Sequence, residues 1–194
     1  MRQTPNFKNW RAIILYRPDA TTDRLIRQLE LFGFLVETRW EPLSKDDAPD
    51  LVLVDADQGW VGLMPWSVPD AAPCPVVAIL GSEAPSRIEW AYAQGAGAIL
   101  AKPLNASAIY PALVMAVAVH EERLKMREQI ARLEERARLR PLVLNAVKTL
   151  SLQRKITEEQ AYALLRTSAM RQRQPVEAIA AAYLAGTDAI PEAG

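Results

Sequence analysis

Side chains able to do chemistry are few in this chain, and they are widely separated. His120 is the sole histidine and Cys74 the sole cysteine, and no nucleophile–base pair is visible around either. No enzyme activity and no cofactor are therefore expected. One cysteine cannot close an internal disulfide, and no CxxC or Cys/His cluster offers metal-ligand spacing, which suits a reducing compartment. Two charged residues stand out by position. Asp55 closes the apolar run Leu51–Val54, and Lys102 stands between the run Ala98–Ala101 and Pro103. A third group is cationic: between Arg138 and Gly186 there are 8 Lys/Arg against 3 Asp/Glu. Met1–Ala137 holds 15 against 18, so a net charge of zero hides about −3 in front of +5. A compact basic module behind a mildly acidic one points to a polyanionic partner.

The elements that must position these groups alternate in type. Short apolar runs predict parallel strands at Arg11–Tyr16, Phe34–Trp40, Leu51–Val54, Pro75–Leu80 and Ala98–Ala101. Thr21 or Thr22 can cap a helix carrying Leu25, Ile26, Leu29 and Phe32 on one face, with Gly33 ending it. Ser82–Gln94 reads as a helix with Ile88, Ala91 and Tyr92 inward. Gly59–Pro73, rich in Pro and Trp, reads as a loop around a short or degraded helix. The fold class is α/β, a doubly wound five-stranded parallel sheet, whose sites lie at the carboxyl ends of the strands. Those ends offer Tyr16-Arg17-Pro18-Asp19, Asp55, Leu80-Gly81-Ser82 and Lys102-Pro103.

Pro111–Leu150 contains no glycine and only one internal proline, Pro141. Its 3-4 spacing (Ala116, Val119, Arg123, Met126, Ile130, Leu133, Ala137, Arg140, Leu144) is that of a two-helix coiled coil. Val119, Met126, Ile130, Leu133 and Ala137 are the expected dimer seam, with Arg123 and Arg140 interrupting it in a way that reads as weakening. Glu122 and Arg127 are placed to pair across the dimer. Beyond it, Thr157-Glu158-Glu159-Gln160 is a capping box. Ala161, Leu164, Leu165 and Ser168 mark one helical face, and Val176, Ile179, Ala180, Tyr183 and Leu184 mark another after Pro175. With Leu142–Leu152 they predict a small three-helix bundle, and Thr187–Gly194 is expected to be a loose tail. The polar start Met1–Trp10 lacks an apolar core for a signal peptide, and no run approaches a membrane span, so a cytoplasmic protein is expected.

The order of these parts carries a resemblance. Pro49-Asp50-Leu51-Val52-Leu53-Val54-Asp55 resembles the phosphoacceptor strand of response-regulator receiver domains. The stretch from Gly95 to Pro103 resembles their last-strand Lys-Pro motif. Asn145–Leu150, Thr157–Arg166 and the basic turn Arg171-Gln172-Arg173 resemble the ANTAR module of transcription antitermination regulators. The resemblance implies a receiver-like domain over 1–110, a coiled-coil helix over 111–138, an ANTAR RNA-binding bundle over 139–186 and the tail over 187–194. It implies leader mRNA hairpins as the nucleic acid, a homodimer, and control by a ligand-sensing regulator protein, with no membrane partner. Lys148, Arg154, Lys155, Arg166, Arg171 and Arg173 would be the RNA-binding residues, with Tyr162 free to stack on a base if exposed.

The departures from the family pattern shape the expectation. Active receivers place an acidic pair after the first strand to hold Mg²⁺, which prefers carboxylate oxygens. Tyr16 and Arg17 stand there, and Asp19 lies beyond Pro18. Leu80 occupies the usual Thr/Ser place. Asp55 and Lys102 are thus read as an inactive phosphoacceptor-equivalent pair, Lys102 (or a nearby Arg) satisfying Asp55, in a pseudo-receiver. The alternatives are phosphorylation-dependent regulation at Asp55 and a dimeric interaction protein without RNA binding. In the tail module, Val147 replaces the usual Lys, Lys155 stands where Gly is usual and must avoid or tolerate positive φ, and Pro141 would kink or interrupt the entering helix.

Overall fold

The computed structural model describes residues 5–17, 19–66 and 68–186. The elements run in chain order: β1 (Arg11–Leu15), α1 (Ala20–Leu31), β2 (Leu35–Arg39), β3 (Leu51–Asp55), a 3-10 turn (Pro69–Ala71), β4 (Val76–Leu80), α2 (Pro85–Ala93), β5 (Ala96–Ala101), α3 (Ala106–Arg154), α4 (Glu158–Gln172) and α5 (Val176–Leu184). The expected tail over 187–194 lies outside the described residues. The chain divides into two compact units, 1–126 and 127–194. Among the described residues no helix is long and apolar enough to cross a membrane.

The first unit is built on one parallel sheet in the order β2-β1-β3-β4-β5. The central strands β3 and β4 are buried along their whole length, as expected of strands covered on both faces. On one face Leu25 and Leu29 of α1, and Ile109, Leu113 and Ala116 of α3, pack on Ile14, Leu53, Val77, Ile79 and Leu100. Gly97 permits that approach: a Cβ there would stand 3.0 Å from the Ala116 Cα. On the other face the loop after β3 does the work of a helix. Leu63, Met64, Ala72 and Cys74 cover Ile13, Leu15, Val52, Val54 and Val76. The Trp66 indole N–H holds the loop by donating to the Gln94 carbonyl at 2.9 Å.

Two expectations in this unit are corrected. The residue that caps α1 is Asp19, whose Oδ1 accepts from the Thr22 N–H at 2.8 Å and from the Thr22 hydroxyl at 3.1 Å. An acidic side chain serves there because it also suits the positive end of the helix. In α2, Ile88 and Tyr92 face outward at 44% and 63% exposure, whereas Ala91 is buried and Trp90 packs on Ala56, Ala78 and Leu80. The helix starts at Pro85 rather than Ser82, and the indole fills the space against Gly59. The seam residue Val119 belongs to this unit: it is half-buried against Gly97, and the Arg123 guanidinium donates to the Gly95 carbonyl at 2.7 Å. Arg123 thus ties α3 to the α2–β5 turn.

The second unit closes Ala146, Val147 and Leu150 of α3, Ala161, Leu165 and Ala169 of α4, and Ile179 and Ala180 of α5 on one apolar centre. Leu164, Val176 and Tyr183 pack at its edge. Leu144, Leu152 and Leu184 do not join it, standing 63%, 80% and 39% exposed. Pro141 neither ends nor interrupts α3, which is helical from Ala106 to Arg154. Its ring leaves the Ala137 carbonyl without the usual i+4 donor, a cost borne most easily here because Ala137 and Pro141 are both exposed. Thr157 and Gln160 form the capping box of α4, with both reciprocal bonds made at 3.2 and 3.0 Å. Pro175 is the N-cap of α5.

Candidate regulatory site and nucleic-acid interface

At the carboxyl end of the sheet, the last residue of β3 is Asp55, 1% exposed. Lys102, just past β5, reaches back and donates to Asp55 Oδ1 at 2.8 Å. The same ammonium sits 3.0 Å from Asp57 Oδ2 and 4.7 Å from the centre of the Tyr16 ring. Burial disfavours the charged amine, but the hydrogen bonds to Asp55, Asp57 and Tyr16 outweigh it and hold the Lys102 pKa above its ordinary value. Asp57 is the residue that sequence reasoning missed. Its Oδ2 accepts from the Gly81 N–H at 2.7 Å and its Oδ1 from the Ser82 N–H at 3.0 Å. Burial pushes the Asp57 pKa up, yet the bonds from Lys102, Gly81 and Ser82 pull it below the ordinary value. The one signal available was the Asp-Ala-Asp spacing of 55–57, which puts a second carboxylate two residues beyond the strand end.

The residues after β1 bring a ring and a cation instead of oxygen ligands. Tyr16 faces Lys102, and the Arg17 guanidinium stands 5.9 Å from the Trp40 ring, so Arg17 is not the partner of Asp55. The nearby Arg87 is turned to backbone, donating to the Gly59 carbonyl at 2.9 Å. Asp19 is spent on the α1 cap. Among the described residues no group of three or more His, Cys, Asp or Glu is placed to hold a metal ion. A hard divalent cation needs several oxygens around it. Here the two carboxylates converge on an ammonium, so the residues do not fit the Mg²⁺ ion of a working receiver.

The expected RNA-binding residues lie in the second unit. Lys148, Lys155, Arg166, Arg171 and Arg173 are exposed, and Arg154 is half-buried. Val147, the residue at the altered family position, is buried at 6% and belongs to the core, which turns the following Lys148 outward. Tyr162 is 45% exposed, whereas Tyr183 is half-buried, its hydroxyl donating to Gln153 at 2.6 Å. Two of the cations hold special backbone. Lys155 (φ 52) and Arg173 (φ 53) are both left-handed. Each ends a helix with the 6→1 hydrogen bond of a Schellman turn, Ile156 N–H to Ser151 O at 3.1 Å and Gln174 N–H to Ala169 O at 3.0 Å. Glycine takes that conformation freely, and a residue with a Cβ is strained there by roughly 1–2 kcal/mol.

Of the expected seam, Met126, Ile130 and Leu133 are 57%, 54% and 55% exposed, and Ala137 is exposed as well. On the same stretch Arg132–Glu128 and Arg138–Glu135 form ion pairs at 3.9 and 2.9 Å, worth only a few tenths of a kcal/mol each at such exposed sites.

A parallel sheet with its Asp/Lys pair, followed by a long helix and a small helical bundle, defines a receiver-like regulatory protein with a C-terminal helical output module. Comparison with known families bears this out. The family described as "AmiR, N-terminal" matches residues 10–117 and the ANTAR domain matches residues 131–183, so the chain belongs to the AmiR-type antitermination regulators that carry an ANTAR domain. It is similar to the aliphatic amidase regulator of Pseudomonas aeruginosa, with 26% identity over 182 residues, covering 90% of this chain and 91% of that protein. Among solved structures it is similar to full-length FixJ from B. japonicum (16% identity, TM-score 0.47, 94% of this chain and 100% of that one). A CheY-like response regulator from Mesorhizobium loti is also similar (18% identity, TM-score 0.43, 56% of this chain and 98% of that one).

Proposed function

We propose that this regulator acts in transcription antitermination by binding leader RNA as a dimer, and that a partner sensor protein, rather than phosphorylation, controls it. In this reading residues 1–110 receive the signal, 111–138 dimerise and 139–186 bind RNA. It performs no catalysis and works in the cytoplasm. The observation that carries RNA binding is the placing of Lys155 and Arg173 at two left-handed helix ends. Both stand exposed at helix ends, where a long cationic side chain is free to reach phosphate oxygens. Lys148, Arg166 and Arg171 add exposed cations, Arg154 contributes from the edge of the bundle, and Tyr162 offers a face for a splayed base. Dimerisation is supported by Met126, Ile130, Leu133 and Ala137, apolar side chains at coiled-coil spacing with no cover of their own. Control by contact is supported by Asp55, whose carboxylate is engaged by Lys102.

The test is a mobility shift against a two-hairpin leader transcript at several salt concentrations. Six phosphate contacts give a log–log salt slope of about −4 to −5, and charge reversal at Arg171 and Arg173 removes most of the affinity. Absence of salt-dependent binding in the partner-free dimer overturns the RNA reading and leaves a dimeric interaction protein. Tight uptake of beryllofluoride with Mg²⁺ at Asp55 overturns the control reading in favour of phosphorylation.

A further inference from the structure

A phosphoryl group on Asp55 would be an anion held beside the β3 end by the nearest cation and by backbone N–H groups facing it. In this chain Lys102 supplies the cation and the amides of Gly81 and Ser82 supply the donors, and all three point at one group: the Asp57 carboxylate. The carboxylate takes both oxygens into the arrangement, Oδ2 to Lys102 and Gly81 and Oδ1 to Ser82. Consecutive amides converging on one anion are the usual backbone means of holding a phosphate or carboxylate. The fit is close. A Cβ on Gly81 would come to 3.2 Å from Asp57 Oδ2 and 3.3 Å from the Lys102 Cδ, so glycine lets the β4 end approach without displacing either side chain. Asp57 is also tied to the phosphoacceptor-equivalent residue itself, its N–H donating to Asp55 Oδ1 at 3.1 Å.

We propose that the Asp57 carboxylate is a built-in substitute for the phosphoryl group, filling the anion position beside Asp55 and holding the β3 end, the β4–α2 loop and Lys102 permanently in the arrangement an added phosphoryl would otherwise impose. This goes one step past control by contact and rests on that reading. It explains how the site keeps Lys102 and the β4-end amides without a metal: the internal anion uses them. It also assigns a chemical class to the position, an oxyanion with two acceptor oxygens, which a free oxyanion can occupy once Asp57 is removed.

The experiment measures thermal unfolding of the full-length protein in increasing inorganic phosphate, with sodium chloride at matched ionic strength as the reference. The wild type gains nothing from phosphate beyond chloride. Asp57→Ala empties the position, and phosphate at about ten times its Kd raises the Tm by about 3 °C over chloride. Adding Lys102→Met to Asp57→Ala abolishes that gain. Should Asp57→Ala fail to fold by circular dichroism, Asp57→Ser is read in its place. It vacates the space of the carboxylate, removes the negative charge and gains phosphate-dependent stability in the same direction. A folded Asp57→Ala protein indifferent to phosphate, or a wild type stabilised as strongly as the variant, overturns the proposal. No RNA enters the measurement, so failure of the antitermination reading is seen separately in the mobility shift. Failure of contact control is likewise seen separately, in beryllofluoride uptake by the wild type.

Discussion

Replacing Lys102 with methionine removes the ammonium that opposes two carboxylates, Asp55 at 2.8 Å and Asp57 at 3.0 Å. The size of the effect follows from where those groups sit. Asp55 is 1% exposed, so water cannot take over from the lost ammonium, and breaking a buried pair by deleting one partner costs about 3–5 kcal/mol. Asp57 is 22% exposed and recovers part of its loss from solvent and from the Gly81 and Ser82 amides. A domain of this size has about 5–15 kcal/mol in total, so Lys102→Met is expected to lower the Tm of the first unit by about 10–20 °C. Tryptophan fluorescence during urea or thermal unfolding is the assay, because Trp10, Trp40, Trp60, Trp66 and Trp90 all precede residue 127 and report on that unit alone. Asp55→Asn combined with Lys102→Met is expected to recover most of the loss, since no buried charge is left uncompensated. The pH dependence has a definite sign. The Lys102 pKa is raised above 10.5, so its contribution is full below that value and is lost as the pH climbs through the folded value. The Asp57 pKa is lowered below 3.8, so its contribution is full above that value and is lost as the pH falls through the folded one. The contribution of these two groups to wild-type stability is therefore flat between those limits, and the deficit of Lys102→Met narrows in acid as Asp57 protonates. A Lys102→Met protein within about 1 kcal/mol of wild type at neutral pH, or a double variant no better than the single, would refute the reasoning.

Lys155→Gly relieves a left-handed residue and is expected to stabilise the second unit by about 1 kcal/mol in thermal melts followed by circular dichroism, while weakening RNA binding in the mobility shift. Stabilisation with unchanged RNA affinity would remove Lys155 from the interface. Cys74 is buried, and burial, aided by Asp50, pushes its thiol up to about 12, so it is almost wholly protonated at pH 8. Alkylation of the native protein is expected to be slow and to become rapid only in denaturant; fast native labelling argues against the packing beneath the loop after β3. Ile130→Glu with Leu133→Glu places like charges at exposed seam positions and is expected to yield monomer by analytical ultracentrifugation without lowering the stability of the first unit. A dimer of unchanged affinity means the chain associates by another surface.

Much of the architecture was legible in local pattern. Leu51–Val54 and Pro75–Leu80 are continuous apolar runs, which only strands covered on both faces can bury, and they became the two fully buried central strands. Thr157 and Gln160 stand at capping-box spacing, and both bonds form, because the partners are three residues apart and need nothing from the rest of the fold. The break in alternation over Gly59–Pro73 marked the place where a loop and a 3-10 turn replace a helix. The candidate site was legible only in part. Asp55 and Lys102 could be paired on motif alone, but Asp57 could not be read as the third member.

The difference lies in the range of the interactions. Periodicity, capping and apolar runs are properties of neighbours along the chain, and composition alone separated a basic second module from an acidic first one. Tertiary packing decided which side chain each face receives. Trp90 displaced Ile88 and Tyr92 from the core because the pocket beside Gly59 takes an indole. Arg123 turned to the Gly95 carbonyl because the close contact of α3 on Gly97 brings that turn within its reach. Asp57 met Lys102 and the Gly81 amide because parallel pairing sets the ends of β3, β4 and β5 side by side, an adjacency across 24 and 45 residues of chain that no local signal encodes.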